Sequence, residues 1–570
     1  MRILKLACIL ILLLTLKTYG QHQSVITQDM ERTIDSLFNP WKSSGSPGVS
    51  FAIIKDGKVI SKKNYGFFDI ENKKPITSQT RFNLGQSSAH YTAYALLKLE
   101  IEGKLSLDDD IRKHIKELQD INQVITVKNL LYGTSGIYDY QVLKSICGWN
   151  FTENFSQKDA LRLVALQKEL AFKPGIDYSE ADINFALLAE LIGNVSGKSF
   201  KNYMEEDIFK PIGMTNTFIK ADLNTMYQNV AHSYRSEDDR TILNNSGNTI
   251  LGINNMYSSI DDLILWEQHL NNATGNDQKV IQKMDVIIKL NSGRTNSTSS
   301  GELTVGQLYG HKERGLFSTY ILGSSSGHDS SIFKFPTQNY TAIALSNNGD
   351  GYNGYLGVIS AHNILAKHFT EPETTNFDTI NTKTLSKKQL QQFEGHYWDQ
   401  LGELSREIKV INDTLRYVRT NGNVNALIPL SKNKFQMKVQ FDDKIYIEFP
   451  EDETEVMEFQ YLGAEPIRFE KYTPKKYNKE ELSNQFNGIY SNKEYAITYK
   501  AIADNNKLKL SNVKNGDINF TPITSILFSG DSWFLRSIEF TKDKNQNING
   551  FYVKNNAIRN LWFEKVVLNE

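Results

Sequence analysis

The chain is poor in cysteine, in long apolar runs and in net charge, and each shortage excludes a class of protein. Its 570 residues contain two cysteines. Cys8 lies in the apolar N-terminal segment, so Cys147 has no partner for an internal disulfide. Beyond the first twenty residues no stretch is long and apolar enough for a transmembrane helix. The formal net charge of −1 gives no reason to expect nucleic acid or an anionic membrane as partner.

Residues 1–20 have the composition of a secretory signal peptide. Arg2 and Lys5 form a short positive region, residues 9–16 form an apolar core, and residues 18–20 form a cleavage site. The apolar core is too short to span a membrane as a helix. We therefore expect a periplasmic or secreted protein that keeps no stable membrane span once the signal peptide is removed.

The length predicts several domains, because a single hydrophobic core stops growing at about 250–300 residues. Residues 25–370 alternate strand and helix signals, and they include a hairpin pattern around Asp56-Gly57. Residues 371–386 are polar, lack apolar periodicity and predict a linker. Beyond them, short strand signals alternate with turn residues and helical signal is nearly absent.

The final region of the chain repeats itself. The motif FEGHY at residues 393–397 recurs as FNGIY at 486–490, and FEK at 469–471 recurs at 563–565. Offsets of 93 and 94 residues are too long for solenoid repeats and suit two small β-domains. We predict one β-barrel over residues 387–475 and a second over 476–570, since closing each sheet removes its exposed edges.

Five sequence blocks carry most of the motif information in the first 350 residues. They are RFNLGQSSAHYTA (81–93), GKLSLDD (103–109), LLYGTSG (130–136), FKPG (172–175) and PIGMTNT (211–217). In this order they resemble the motifs of the serine β-lactamase and penicillin-binding-protein family, in its branch of class C β-lactamases, DD-peptidases and D-aminopeptidases. The first block is similar to the family motif Phe-x-Ile-Ala-Ser-x-x-Lys-x-Phe-Thr-Ala.

The resemblance implies an α/β (α+β) fold of the serine β-lactamase and DD-transpeptidase type. Such a domain has an antiparallel sheet flanked by helices and an all-helical lobe, and its active site lies between the two. The two trailing barrels resemble the accessory barrels of the D-aminopeptidase branch. The resemblance does not imply activity, because fold and function separate at the site.

The first catalytic motif keeps the residue spacing of the family and lacks the groups that react. Gln86 stands where the family has its serine nucleophile, and Ala89 stands where the family lysine follows one helical turn later. Acyl transfer needs a hydroxyl that attacks and a basic amine that takes its proton. A carboxamide and a methyl group can do neither.

The second and third motifs are replaced as well. Counting from the FKPG block puts Glu180 and Asp182 at the Tyr and Asn of the family's Tyr-x-Asn. Ile321 then stands at the Lys or His of the third motif, which keeps only Gly323. Losing the nucleophile alone lowers kcat of a serine hydrolase by roughly a factor of 10⁶. We therefore predict a chain that does not form an acyl-enzyme.

Ser87 and His90 raise the alternative of a displaced nucleophile and base. They are three residues apart, so on a helix they share a face. A slip of one residue, however, rotates a side chain by about 100°. The spacing from Phe82 to Gly103 matches the family without an insertion, and we therefore expect Ser87 to point away from the cleft.

Glu180 and Asp182 raise a second alternative, in which a carboxylate pair performs acid–base chemistry or binds a metal. His328 is the nearest candidate for a third ligand. Most such pairs are solvated surface charges, and we predict neither a metal nor a cofactor.

A site without catalytic groups can still bind. The family cleft holds a carbonyl oxygen with two backbone N–H groups, which here come from Gln86 and from the strand near Gly323. Glu180 and Asp182 complete the predicted binding residues. We expect the ligand to be a peptide, a peptidoglycan fragment or a protein. The alternative is an active esterase, D-aminopeptidase or carboxypeptidase with a non-standard nucleophile such as Ser87.

Overall fold

The computed structural model describes residues 27–566 apart from several short segments. Those segments are 43–44, 119–120, 151–152, 239, 245–246, 299–300, 350–352, 371–382, 400–403, 421, 440–443, 454, 462–465 and 556–557. The predicted signal peptide, Cys8 and most of the predicted linker therefore lie outside the described residues. Within the described part, no helix is at once long enough and apolar enough to cross a membrane.

An eight-stranded antiparallel sheet forms the centre of the first domain. Its strands lie in the order Ser297–Thr298, Gly301–Leu303, Tyr309–Glu313, Leu316–Ser325, His328–Phe335, Tyr340–Ser346, Val49–Lys55 and Lys58–Tyr65. The predicted hairpin joins the last two strands, and its turn residues Asp56 and Gly57 have φ of 50° and 74°. Pairing of the first strand in sequence with the last, Tyr340–Ser346, joins the two ends of the domain.

Side chains on the two faces of the sheet enter different cores. Phe51 and Ile53 pack with the helices Gln28–Ser36 and Asn353–Ile364 on one face. Ala52 and Ile54, which alternate with them, belong to the larger core on the opposite face. This alternation with period two places one layer of helices on each side of the sheet.

The larger core is shared with a helical lobe. Its longest buried helices, Ser88–Ile101 and Ile183–Ser196, are apolar on most sides, as expected of helices inside a lobe. The remaining α-helices of the lobe and its borders are Val127–Leu131, Tyr140–Ile146, Gln157–Ala165, Phe200–Tyr203, Lys210–Ile212, Ile260–Asn272 and Gly275–Met284. A π-helix lies at Met204–Phe209. The 3₁₀ turns of the domain are Asn39–Trp41, Gly85–Ser87, Ile111–Lys113, Lys116–Leu118 and Pro336–Gln338.

Short strand pairs connect these layers at the surface. Phe82–Asn83, Met256–Ser258 and Phe218–Ile219 form a small three-stranded sheet beside the start of the helix Ser88–Ile101. The other pairs are Phe67–Asp69 with Lys74–Pro75, Phe155–Ser156 with Asn248–Thr249, and Tyr234–Glu237 with Arg240–Leu243.

Two closed eight-stranded barrels follow, as predicted. The first comprises Gly395–Asp399, Leu404–Ile411, Thr414–Arg419, Val424–Pro429, Lys434–Met437, Ile445–Glu448, Val456–Tyr461 and Ile467–Tyr472; the second comprises Gly488–Asn492, Ile497–Asp504, Lys507–Asn512, Gly516–Pro522, Leu527–Gly530, Ser537–Lys542, Ile548–Asn555 and Ile558–Val566. Each begins with a short helix, Lys387–Gln391 and Lys479–Phe486, which the sequence did not predict.

The repeated motifs occupy equivalent places in the two barrels. Tyr397 Oη donates to the carbonyl oxygen of Phe393 at 2.9 Å, and Tyr490 Oη donates to that of Phe486 at 2.7 Å. The same short-range bond closes the junction between helix and first strand in both domains. The shared contact supports the interpretation that the two barrels arose by duplication.

The barrels differ in their relation to the first domain. The first has a hydrophobic core of its own. The second packs on the helical lobe, where Tyr499 Oη donates to Ile146 O at 3.0 Å and Arg559 forms an ion pair with Asp177 at 2.7 Å. Its core is continuous with that of the lobe. The fold class predicted from the motifs, a β-lactamase-like domain followed by two antiparallel barrels, is confirmed.

Candidate functional site

The candidate site lies where the first turn of a buried helix meets a strand of the central sheet. The 3₁₀ turn Gly85–Ser87 leads directly into the helix Ser88–Ile101, and the strand Leu316–Ser325 passes beside it. Gly323 makes the approach possible, because a Cβ at this position would lie 2.0 Å from Leu84 O and 2.7 Å from Ser87 N. Backbone therefore packs on backbone at the point where the first and third motifs meet.

Gln86 is exposed at this junction and turns its side chain onto the strand. Its Oε1 accepts a hydrogen bond from the Ser324 N–H at 2.8 Å. The sequence predicts that the N–H group near Gly323 is available to a ligand. The structure corrects that expectation, because the side chain of Gln86 already satisfies this donor. A carbonyl ligand has to displace the carboxamide in order to use it.

Ala89 and Ile321 form the apolar floor beside Gln86. Both are buried, and both line the same cavity of ≈ 510 Å³. Other residues of the cavity wall are Gly133, Asp139, Gln141, Tyr178, Ser179, Glu180, Ala181, Asp182, Asn184, Phe185, Ile253, Leu303, Gln307, Tyr309, Leu322 and Trp533. The fold thus brings five of the replaced motif positions, 86, 89, 180, 182 and 321, to one cavity, and Gly323 lies directly behind Gln86.

The two carboxyl groups of the second motif have separate partners. Glu180 is exposed, and its Oε1 accepts a hydrogen bond from Tyr309 Oη at 2.7 Å. Asp182 is half-buried and accepts from Gln141 Nε2, while its backbone N–H donates to Asp139 Oδ2 at 2.8 Å. Asp182 is therefore hydrogen-bonded to Asp139, whereas Glu180, its neighbour in the motif, acts on it through its charge alone.

Asp139 caps the helix Tyr140–Ile146 and contributes a third carboxyl group to the cavity. Its Oδ1 accepts from Gln141 N at 2.8 Å and from Val142 N at 3.3 Å. Burial and, after it, the charge of Asp139 raise the pKa of Asp182. Burial also raises the pKa of Asp139, although the hydrogen bonds from backbone N–H groups act to lower it. Two interacting carboxyl groups of this kind titrate as a pair and retain a proton above the usual range.

Ser87 and His90 do not form a nucleophile and base pair in the structure. Ser87 is 1% exposed, and its Oγ accepts from Ser330 Oγ at 2.9 Å. His90 Nδ1 donates to Gly306 O at 2.6 Å, and burial lowers the pKa of this imidazole to about 3. Each side chain thus belongs to a different buried contact, and neither lines the cavity.

His328 also lies away from Glu180 and Asp182. It is buried at the start of the strand His328–Phe335, where burial lowers its pKa to about 3. It lines a second cavity of ≈ 340 Å³, on the far side of the Gln86–Ser324 contact. In the described part of the chain, Glu180, Asp182 and His328 do not form a group of metal ligands.

Among the wall residues that sequence reasoning missed, Trp533, Tyr309 and Asp139 contribute functional groups. Trp533 comes from the loop after the strand Leu527–Gly530 of the second barrel, and 43% of its surface is exposed. Tyr309 comes from the strand Tyr309–Glu313 of the central sheet, and Asp139 comes from the lobe. Asp139 lies three residues beyond the LLYGTSG block, directly before a helical pattern, and that position is typical of a helix cap. No sequence signal places Trp533 at the cleft.

Replacing Gln86 by alanine tests whether its side chain protects the Ser324 N–H group from hydrogen exchange. We expect faster backbone hydrogen exchange at Ser324 in Gln86→Ala, because the N–H loses its acceptor and faces solvent. Gln86→Glu is the matched control, since it keeps an acceptor oxygen of the same length. Mass spectrometry of peptides spanning residues 316–330 measures the rate. Equal exchange in Gln86→Ala and the unmodified chain would contradict the assignment.

Comparison with known proteins places this cleft in a family. The family model described as Beta-lactamase matches residues 23–356. Protein flp of Staphylococcus aureus (strain MRSA252) is 28% identical over 335 residues, which are 57% of this chain and 65% of that protein. A D-aminopeptidase of Gluconobacter oxydans is 25% identical over 253 residues, 44% of this chain and 47% of the relative. The chain therefore spans less than two thirds of the length of these curated relatives.

A solved structure extends the likeness in fold. The penicillin-binding protein homologue from Pyrococcus abyssi superimposes with a TM-score of 0.52 at 22% sequence identity, over 78% of this chain and 99% of that chain. At this identity the likeness concerns the fold alone. The match of the family model over residues 23–356, which is more than half of the sequence, shows that this chain belongs to the β-lactamase family.

Proposed function

We propose that this protein is a secreted member of the family that does not form an acyl-enzyme and acts by binding a peptide or peptidoglycan peptide in its cleft. One observation carries the proposal: the Gln86 carboxamide is bonded to Ser324 N–H, and the methyl group of Ala89 lies at the lysine position. Acyl transfer requires a nucleophile together with a base that accepts its proton. Neither group stands at its family position.

The other hydroxyl groups of the cavity do not replace that pair. Tyr178, Ser179 and Tyr309 line the cavity. Burial, as the largest cause, raises the pKa of both tyrosines, which keeps them protonated at neutral pH. Among the described wall residues there is no histidine, lysine, arginine or cysteine. A serine here has no amine or imidazole to activate it.

The charge of the wall favours a particular ligand class. Asp139, Glu180 and Asp182 contribute carboxyl groups, and the described wall residues contribute no cationic side chain. Tyr178, Tyr309, Phe185 and Trp533 add aromatic surface. A protonated amine gains both from the carboxylates and from aromatic faces, whereas a free carboxylate is repelled. We therefore infer a peptide that presents an amino group to the cavity.

Thermal-shift measurements with matched peptides test the binding. The probes are D-alanyl peptides and lysine-containing muropeptides, each compared with its N-acetylated form. At 100 times its Kd a ligand stabilises the folded state by about 2.7 kcal/mol. We expect the free amines to raise Tm and the acetylated forms to have little effect. If neither form raises Tm at millimolar concentration, the binding proposal is wrong.

Trp533 provides a specific variant for the same measurement. Removing an aromatic face that contacts the ligand costs about 1–2 kcal/mol, so we expect Trp533→Ala to weaken binding of an effective amine peptide roughly tenfold. Trp533→Phe keeps an aromatic ring and should retain most of the affinity. Titration of each variant with that peptide gives the two dissociation constants. Unchanged affinity in Trp533→Ala would show that the second barrel does not contribute to the binding site.

A second candidate is acid–base chemistry at Asp182. The observation that favours it is the coupling to Asp139, which leaves a protonated carboxyl facing the cavity. Turnover of peptide and ester substrates by the unmodified protein, abolished in Asp182→Asn, would support this candidate. Turnover that is absent, or that persists in Asp182→Asn, counts against it.

A further inference from the structure

Three potential metal ligands from distant parts of the sequence meet beside the second cavity. His232 Nδ1 lies 3.9 Å from Asp69 Oδ1 and 3.9 Å from Glu71 Oε2, and the three ligand atoms lie within 4.8 Å of one another. These separations are too long for direct hydrogen bonds. An ion placed between the three atoms would lie slightly too far from them. Shifts of a few tenths of an ångström would bring each atom to the usual distance of about 2.0–2.2 Å from the ion.

The carboxylate of Asp69 is buried and held in place by hydrogen bonds. Asp69 is 2% exposed, and it accepts hydrogen bonds from Asn72 N at 3.0 Å and from Asn72 Nδ2 at 2.8 Å. Lys74 approaches Oδ2 at 3.6 Å, so Oδ1 is the oxygen turned to the histidine.

Glu71 is exposed, yet a buried tyrosine orients it. Tyr234 Oη donates to Glu71 Oε2 at 2.9 Å and accepts from Ile70 N at 2.9 Å. The phenol therefore ties the carboxylate to the backbone of its own turn. Support of this kind from outside the ligand set is typical of metal sites, because it reduces the ordering that an ion must impose.

The backbone of His232 is fixed to the same turn. Its N–H donates to Phe68 O at 2.8 Å. Asn347 Nδ2 donates to His232 O at 2.9 Å and to Phe67 O at 3.1 Å, which holds the two segments side by side. The imidazole therefore reaches the two carboxylates from a backbone position that does not depend on an ion.

We propose that Asp69, Glu71 and His232 bind one divalent transition-metal ion of the Zn²⁺ class. One imidazole nitrogen with two carboxylate oxygens suits Zn²⁺ and its neighbours, whereas Mg²⁺ and Ca²⁺ take oxygen ligands. The side chains of His232 and Glu71 are 45% and 55% exposed, which leaves the fourth position to water. The ion ties the turn at 69–74 to the segment that includes His232 and Ser233 in the wall of the second cavity.

This site is independent of the proposed binding function and was not predicted from the sequence. Residues 69 and 71 give a common Asp-x-Glu pattern, and His232 follows 161 residues after Glu71. Among the described residues it is the one group of three His, Cys, Asp or Glu side chains whose ligand atoms come this close.

Calorimetric titration of the full chain, after dialysis against EDTA and then metal-free buffer, tests the site. We expect Zn²⁺ to bind saturably at one ion per chain, and Co²⁺ to give the visible absorption of a bound ion. His232→Ala and Glu71→Gln should each weaken Zn²⁺ binding at least about tenfold. His311→Ala is the control, because His311 also lies beside a carboxylate, Glu313, at 3.6 Å.

Two results would overturn the proposal. One is the absence of saturable Zn²⁺ binding, or equal binding of Mg²⁺ or Ca²⁺ at this site. The other is Zn²⁺ binding that is unchanged in both variants and lost in His311→Ala, which would place the ion elsewhere. Because both changes remove exposed side chains, far-UV circular dichroism should match the unmodified protein, and loss of binding then reports on the ligands.

Discussion

Gly323→Ala should strongly destabilise the first domain. The new Cβ would lie 2.0 Å from Leu84 O and 2.7 Å from both Ser87 N and Ser330 Oγ. Two of these three atoms are backbone, so the strand and the helix turn must move apart. Overpacking of this kind costs about 3 kcal/mol, and a fall of several degrees in Tm follows. Differential scanning calorimetry measures the change.

Gly354→Ala is the matched control for this substitution. Gly354 lies in the helix Asn353–Ile364, and a Cβ there would meet Leu322 at the ordinary contact distance of 3.5 Å. Alanine is also the better helix former by about 1 kcal/mol. We therefore expect an unchanged or slightly higher Tm. Comparable losses in the two variants would mean that the close approach at Gly323 does not determine the packing of the cleft.

Asp182→Asn should stabilise the protein at pH 8 and not at pH 4. The folded-state pKa of Asp182 is raised by burial and by Asp139, so in the folded chain the pair retains a proton that the unfolded chain has released above about pH 4. Stability from this group is present at low pH and is lost as pH rises through the folded pKa. Asparagine does not ionise and therefore avoids that loss. We expect the free energy of unfolding of Asp182→Asn to be higher by about 2 kcal/mol at pH 8.

Tm measured from pH 4 to pH 8 in the unmodified chain and the variant isolates the effect. Asp109→Asn is the control of opposite sign. Hydrogen bonding from the Ser106 backbone, in the first place, lowers the pKa of Asp109, so its stabilisation is present at neutral pH and disappears in acid. Asp109→Asn should therefore lose stability at pH 8. An Asp182→Asn variant that is destabilised at pH 8 would show that the carboxylate has a favourable partner.

Much of the fold could be predicted from the sequence because local and global signals agree. Asp56-Gly57 gave the hairpin through its tolerance of positive φ, and the repeated motifs at 393–397 and 486–490 gave two barrels. The helix Ser88–Ile101 begins inside the first motif block. Ser87 in the preceding 3₁₀ turn and Ser88 at the start of the helix have polar side chains that interrupt the apolar pattern. The packing of the second barrel on the lobe has no local signature.

At the cleft, motif spacing identified positions but not side-chain partners. Gln86, Ala89, Glu180, Asp182 and Ile321 do line one cavity. The sequence could not show that Gln86 folds back onto Ser324 N–H, since a carboxamide reaches either a ligand or its own strand. Nor could it show that Asp182 is coupled to Asp139, 43 residues earlier. The first contact depends on how the lobe packs on the sheet, and the second depends on how two helices of the lobe pack against each other.

Intact-protein mass spectrometry after incubation with excess benzylpenicillin and with a fluorophosphonate tests the absence of acyl transfer most directly. With Gln86 and Ala89 at the positions that carry the chemistry, the mass of the chain should stay unchanged at every time point, while a penicillin-binding protein treated in parallel gains one adduct. One covalent adduct per chain on any serine of the cleft would contradict this expectation.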